Sequence, residues 1–189
     1  GLGGPLWHDP APMAGVTLFI PTLNEIDGMR GIMPRVKPAW CDQVLVVDGN
    51  SADGTADYAR AQGWDVHVQT RPGIRHAYIE GFRLVKGDIV VTFSPDGNSI
   101  PELIPDLVAK VREGNDMVIA SRYFDGARSE DDNLVTRFGN WLFSRVLING
   151  LHGGHYTDAM GMYRAYKTKL FYDLDLDKEE SYVTEKFWL

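Results

Sequence analysis

Cysteine is nearly absent from this chain of 189 residues: Cys41 is the only one, so no internal disulfide can form. Cysteine usage therefore implies a reducing compartment or carries no information. Basic residues are the minority, 19 against 26 acidic ones, for a formal net charge of -7. An acidic chain of this kind argues against a nucleic-acid partner, which would need clustered Lys and Arg. No apolar run is long enough to span a bilayer, and the opening GLGGPLWHDPAPM lacks the charged start and apolar centre of a signal peptide. The chain as given therefore reads as soluble and cytoplasmic. There is no internal repeat and no low-complexity segment. His76, His152 and His155 have a spacing that fits no common zinc set and are read as loop or cap residues.

What is present is ordinary for one globular domain, with 44% hydrophobic and 24% charged residues and enough length for a sizeable core. Residues 1–14, rich in Gly and Pro, are expected to form an irregular leader, and 15–189 the domain. The final Phe187, Trp188 and Leu189 follow an acidic helical-looking stretch, which leads to the expectation of a longer parent chain.

Periodicity predicts strands at Val16 to Ile20, Val44 to Val47, Val66 to Val68, Ile89 to Phe93 and Met117 to Ala120. Helices are predicted between them. Asn24 is expected to cap a short one, made uncertain by Gly28, Gly31 and Pro34, with Glu25 in its first turn. Others run from about Thr55 to Gln62, from Ile74 to Lys86 with Gly87 as its stop, and from Pro101 to Glu113 with Leu103, Leu107 and Val111 on one stripe. This alternation predicts an α/β fold with a mostly parallel sheet and helices on both faces. Tyr123 to Asn133 reads as a loop over a site, Leu134 to Asn149 as a helix, Ala159 to Tyr166 as an antiparallel or mixed strand, and Lys167 to Leu174 as a short helix.

Four polar loops then fall at strand ends: Pro21 to Glu25, Asp48 to Thr55, Ser94 to Asn98, and Ser121 with Arg122. The carboxyl edge of such a sheet is where ligands bind. From the residues alone, Asn24 and Asp53 read equally well as helix caps, Asp48 as a strand-end turn residue and Asp96-Gly97 as an ordinary turn.

The segments FIPTLNE (Phe19 to Glu25), VVDGNSADGT (Val46 to Thr55), RPGIRHAYIEGF (Arg71 to Phe82), GDIVVTFSPDGN (Gly87 to Asn98), ASRY (Ala120 to Tyr123) and TDAMGMYRAY (Thr157 to Tyr166) occur in an order and spacing that resembles family 2 glycosyltransferases of the GT-A fold. That group includes dolichol-phosphate mannose synthases and other polyprenyl-phosphate sugar transferases. The resemblance implies a GT-A single domain that transfers a sugar, with inversion, from a nucleotide-diphosphate sugar. Pro21, Leu23 and Glu25 would line base and ribose, Asp48 would accept from base or sugar hydroxyls, and Asp53 would brace the loop. Asp96 and Asn98 would hold Mg²⁺ or Mn²⁺. The usual Asp-x-Asp is here Ser94-Pro95-Asp96, so Ser94 stands where the first acid is expected, and a metal-independent enzyme stays open beside the metal-assisted one. A single carboxylate with substrate phosphates suffices for Mg²⁺.

Arg71, Arg75, Arg122 and Arg164 match or neighbour positions that face phosphates in such enzymes, and guanidinium forks suit that geometry. Asp158 would be general base for a sugar-hydroxyl acceptor, or would orient metal, Arg164 or acceptor if the acceptor is a lipid phosphate. The favoured acceptor is a polyprenyl or dolichyl phosphate, with peripheral contact at the cytoplasmic face of a membrane; a saccharide hydroxyl is the alternative. The arginine and serine that lipid-phosphate synthases carry after the loop are here Asp132 and Thr136, with Arg128 and Arg137 as substitutes. From other classes, a sugar nucleotidyltransferase and a non-catalytic nucleotide-sugar binding domain stay open. PTLNE lacks the glycine-rich basic loop of the first, whereas Ser94 favours the second.

Overall fold

The computed structural model describes residues 13–120 and 162–178. The expectations for 1–12 (the leader), 121–161 (Arg122, the 123–133 loop, the 134–149 helix, His152, His155 and Asp158) and 179–189 lie outside the described residues.

The strands are β1 (Met13–Thr22), β2 (Gln43–Asp48), β3 (Asp65–Val68), β4 (Gly87–Thr92), β5 (Met117–Ile119) and β6 (Arg164–Lys167). The helices are α1 (Ile26–Ile32), α2 (Thr55–Ala61), α3 (Ile74–Phe82), α4 (Ile104–Arg112) and α5 (Thr168–Asp173). Among the described residues they build one six-stranded sheet in the order β3-β2-β1-β4-β6-β5. The pairs β1–β2, β2–β3 and β1–β4 are parallel, whereas β6 runs antiparallel to both β4 and β5. This is the predicted α/β architecture, with the last strand antiparallel.

Alternation along β1 divides the core in two. Val16, Leu18 and Ile20 face a layer with Met29 of α1, Ala59 of α2 and Ile104, Leu107, Val108 and Val111 of α4. Phe19 faces the other way, into a layer with Ala77 and Phe82 of α3 and Phe171 of α5. Aromatic rings fill that second layer. Phe82 stacks on Phe171 with centroids 3.7 Å apart and packs against Phe19 at 5.3 Å and Tyr166 at 6.1 Å. Gly81 is the gap that lets α3 settle there: a Cβ on it would stand 2.6 Å from Phe19 Cε2 and 2.7 Å from Val47 Cγ2.

Several boundaries differ from the sequence reading, each for a local reason. Asn24 does not cap α1; its side-chain oxygen accepts the Ala52 N–H at 2.9 Å and its own N–H donates to Ser51 Oγ at 2.8 Å, so it ties two loops together. Its φ of 56° is one that Asn tolerates. α3 ends at Phe82, and Gly87 opens β4 rather than stopping the helix. Pro101 begins a 3-10 turn, Pro101–Leu103, and α4 follows it, so Leu103 is exposed and Ile104 takes the first buried place. Cys41 is half-buried, and burial followed by the charge of Asp42 pushes its thiol up to about 11, which keeps it protonated and unreactive.

Candidate active site

The parallel register brings Thr22, Asp48 and Val68 together at one edge of the sheet, and the β4–β6 pairing sets Thr92 opposite Arg164 at the same edge. All the described candidate residues lie on the segments leaving that edge.

The first two loops form one hydrogen-bonded body. Asp48 is 1% exposed; its Oδ1 accepts the Ser51 hydroxyl at 2.5 Å and its Oδ2 accepts the Ser51 N–H at 2.9 Å. It thus performs the strand-end turn role. Asp53 is exposed and accepts from Ile26 N–H at the start of α1 and from both N–H and hydroxyl of Thr55 at the start of α2. It satisfies backbone N–H groups at the starts of two helices at once. The Thr55 hydroxyl holds its carboxyl below the usual range, against a smaller opposing effect of burial. Pro21 and Glu25 are half-buried beside this body, while Leu23 is 59% exposed.

The loop after β4 lies against α1. Gly28 is what allows it: a Cβ there would sit 2.1 Å from the Pro95 carbonyl oxygen and 3.4 Å from Glu25 Oε2. Asp96 is exposed, its Oδ1 accepts the Asn98 N–H at 2.9 Å, and Gly97 takes φ 88°. The Asp-Gly turn is real, and Asp96 stays exposed in it. Burial first, then the charges of Asp96 and Asp53, raise the carboxyl pKa of Glu25. Two acids therefore sit within electrostatic reach of each other on adjoining loops.

The described residues contain no group of three or more His, Cys, Asp or Glu that could hold a metal ion by themselves; one carboxylate together with substrate oxygens and water is enough to hold Mg²⁺. Asp96 would be its carboxylate ligand, with Asn98 beside it. Ser94 is half-buried at the base of the same loop.

Arginines stand on two of the segments at this edge. Arg164 opens β6 near Tyr78, whose hydroxyl bonds Thr92; burial raises the Tyr78 pKa against the opposing pull of Arg164 and Thr92. The Thr92 hydroxyl in turn donates to the Met162 carbonyl at 2.6 Å, locking β4 to the entry of β6. Arg71, exposed, and Arg75, half-buried, flank Gly73 at the start of α3.

Sequence reasoning passed over Ser51, Asn50, Gln69 and Glu80, all of which shape these loops. The only signal was an acid, Glu80, on the inward side of a helix beside Gly81 and Phe82. Burial alone would push Glu80 up, but bonds from Thr70 N–H, His67, the Thr70 hydroxyl and Arg71 N–H hold it down to about 2. Its native pKa lies below the unfolded value of about 4.3, so the stabilisation is present above that pH and is lost as pH falls towards 2. Urea midpoints should accordingly separate wild type from Glu80→Gln at pH 7 and converge towards pH 2; a gap that persists at pH 2 would contradict this.

Comparison with known proteins agrees with the geometry. Residues 17–175 match the family described as Glycosyl transferase family 2. The chain is 36% identical over 179 residues to an undecaprenyl-phosphate mannosyltransferase of Micrococcus luteus, covering 88% of this chain and 72% of the relative. A polyprenol monophosphomannose synthase of Mycolicibacterium smegmatis is 34% identical, covering 92% and 71%. A dolichol-phosphate mannosyltransferase of Pyrococcus furiosus is 32% identical over 142 residues, 71% of this chain but 38% of that one. Among solved structures, glucosyl-3-phosphoglycerate synthase of Mycobacterium tuberculosis with Mn²⁺, UDP and glucosyl-3-phosphoglycerate superposes with a TM-score of 0.67 at 24% identity, over 89% of this chain and 65% of that one, which establishes the shared fold. The mostly parallel sheet with polar loops at its carboxyl edge and these matches lead to one conclusion: the chain belongs to glycosyl transferase family 2, and it is a glycosyltransferase.

Proposed function

We propose that this chain transfers a hexose from a nucleotide-diphosphate sugar to a polyprenyl phosphate at the cytoplasmic face of a membrane, with inversion. The observation that carries the reading is Asp96, exposed at the carboxyl edge on a loop seated against α1, with its charge felt at Glu25. The relatives from Micrococcus luteus and Mycolicibacterium smegmatis, named for undecaprenyl-phosphate and polyprenol acceptors, support the acceptor class. Among the described residues no helix is long and apolar enough to cross a membrane.

In this reading Pro21, Leu23 and Glu25 line base and ribose, and Asp48 forms the floor of the nucleotide pocket through the loop it shapes. Arg71, Arg75 and Arg164 meet the diphosphate. Mg²⁺ or Mn²⁺, held by Asp96 and Asn98, would neutralise charge on the departing diphosphate. The bond between the sugar anomeric carbon and the diphosphate oxygen breaks as a lipid-phosphate oxygen attacks the opposite face, and the nucleoside diphosphate leaves with the bonding pair. No general base is needed, because a phosphate monoester loses its second proton near pH ~6 and is already nucleophilic at neutral pH.

The test is a competition assay. Purified protein is given GDP-mannose, UDP-glucose or UDP-N-acetylglucosamine, with a polyprenyl phosphate and a saccharide as rival acceptors, with and without Mn²⁺. Glycolipid formed with one donor is the expected product. Sugar appearing on the saccharide hydroxyl instead would overturn the acceptor assignment, and equal rates after chelation would overturn the metal.

A further inference from the structure

The 70–73 loop carries Arg71 and is exposed along its whole length. Surface loops ordinarily direct their backbone groups to water. This one does not. Gln69, 6% exposed, donates from its side chain to the Arg71 carbonyl at 3.0 Å and the Gly73 carbonyl at 2.9 Å. Glu80, 9% exposed, accepts the Thr70 N–H at 2.9 Å, the Thr70 hydroxyl at 2.7 Å and the Arg71 N–H at 3.3 Å. His76 Nδ1–H donates to the Pro72 carbonyl at 2.7 Å.

Both braces are themselves anchored. Gln69 N–H donates to the Asp48 carbonyl at 2.8 Å, and Asn50 donates to the Gln69 carbonyl at 3.0 Å, joining the loop to the one after β2. Glu80 is backed by His67 Nε2 at 2.7 Å. A carboxylate and an amide taken out of water cost free energy unless fully hydrogen-bonded, and an apolar residue would fill the same space without that cost. What this arrangement secures is the shape of a loop whose one long cationic side chain is Arg71.

We propose that Gln69 and Glu80 are positioning residues for the reaction: they hold the backbone of the 70–73 loop in one conformation so that Arg71 meets the donor diphosphate in a fixed geometry. This rests on the donor reading given above. A preorganised guanidinium spends none of the binding free energy on ordering its loop, so loosening the braces weakens recognition of the diphosphate while leaving recognition of base and ribose alone.

The experiment is calorimetric titration of the whole chain, in Mn²⁺, with GDP and UDP and with the matching monophosphates GMP and UMP. For Glu80→Gln and, independently, Gln69→Met, diphosphate affinity should fall about tenfold, the scale of a charge-assisted hydrogen bond, with monophosphate affinity changed less than about twofold. In an Arg71→Ala background the Glu80→Gln change should add less than about twofold, because the brace then has nothing to present. Equal loss for mono- and diphosphates, no loss at all, or full additivity with Arg71→Ala overturns the proposal. Absence of any nucleotide binding by the wild type overturns the donor reading and this inference together, whereas wild-type binding with unaffected variants overturns only the inference.

Discussion

Asp96→Ala is expected to lower sugar transfer by about 10³-fold or more with little change in stability. Removal of a preorganised group that acts on developing charge costs about 10²–10³ in turnover, and here the same carboxylate is also the proposed cation ligand. The fold should hardly notice. Asp96 is exposed, and its one described bond is to the Asn98 N–H two residues on, so a stability change within about 0.5 kcal/mol is expected. Asp96→Asn separates charge from loop shape, because an amide oxygen can still accept the Asn98 N–H. Both variants should be inactive in the glycolipid assay, and Mn²⁺ binding in the presence of nucleoside diphosphate should be lost in both. Turnover equal to wild type in either protein would remove Asp96 from the mechanism.

Gly28→Ala should damage both stability and activity, although the substitution usually helps a helix. In a helix interior Ala is favoured over Gly by about 1 kcal/mol, so if the contact at Gly28 were loose, the variant would be more stable. The added methyl would instead lie 2.1 Å from the Pro95 oxygen and 3.0 Å from the Pro95 carbonyl carbon, and backbone cannot swing aside as a side chain can. Overpacking of this kind costs about 1–3 kcal/mol. The displaced loop carries Asp96, and a shift of about 1 Å at reacting groups costs about 10²-fold. The sign of the stability change decides the matter. Gly31→Ala, three residues further on α1 with nothing within 4 Å of its added Cβ, is the control and should be neutral or stabilising. A Gly28→Ala protein that melts higher than wild type and keeps its activity would show that α1 and the Asp96 loop are not pressed together.

Strands were the most legible elements. Ile89 to Phe93 and Val44 to Val47 are runs of apolar and β-branched residues because both faces of the sheet carry helices, and the structure buries them all except Val44, which is half-buried. Helix ends were less legible, since they depend on where the chain must go next. α3 stops at Phe82, where Phe82 stacks on Phe171, and the apolar spacing that continues to Val85 belongs to the connection into β4. Gly28 was read as a weakness of α1, and it is instead the position that a carbonyl from residue 95 approaches. Nothing within seven residues of Gly28 announces that neighbour.

The candidate site divides along the same line. Asp96 was legible because a buried strand followed by a polar turn delivers its residues to one known edge, and that relation is local. The partners of Asn24 and Glu80 were not, because each bond spans separate segments: Asn24 reaches residues 51 and 52, and Glu80 reaches residues 67, 70 and 71.

By itself, then, the order of apolar runs and polar turns determined an α/β sheet, its carboxyl edge and the residue types gathered there, since alternation and turn chemistry act over a few neighbouring residues. Only the tertiary structure decided which of those residues support one another, because hydrogen bonds and close contacts between loops depend on the register of β1 with β2 and β4 and on the small gap at Gly28, and distances of that kind are set by packing rather than by sequence spacing.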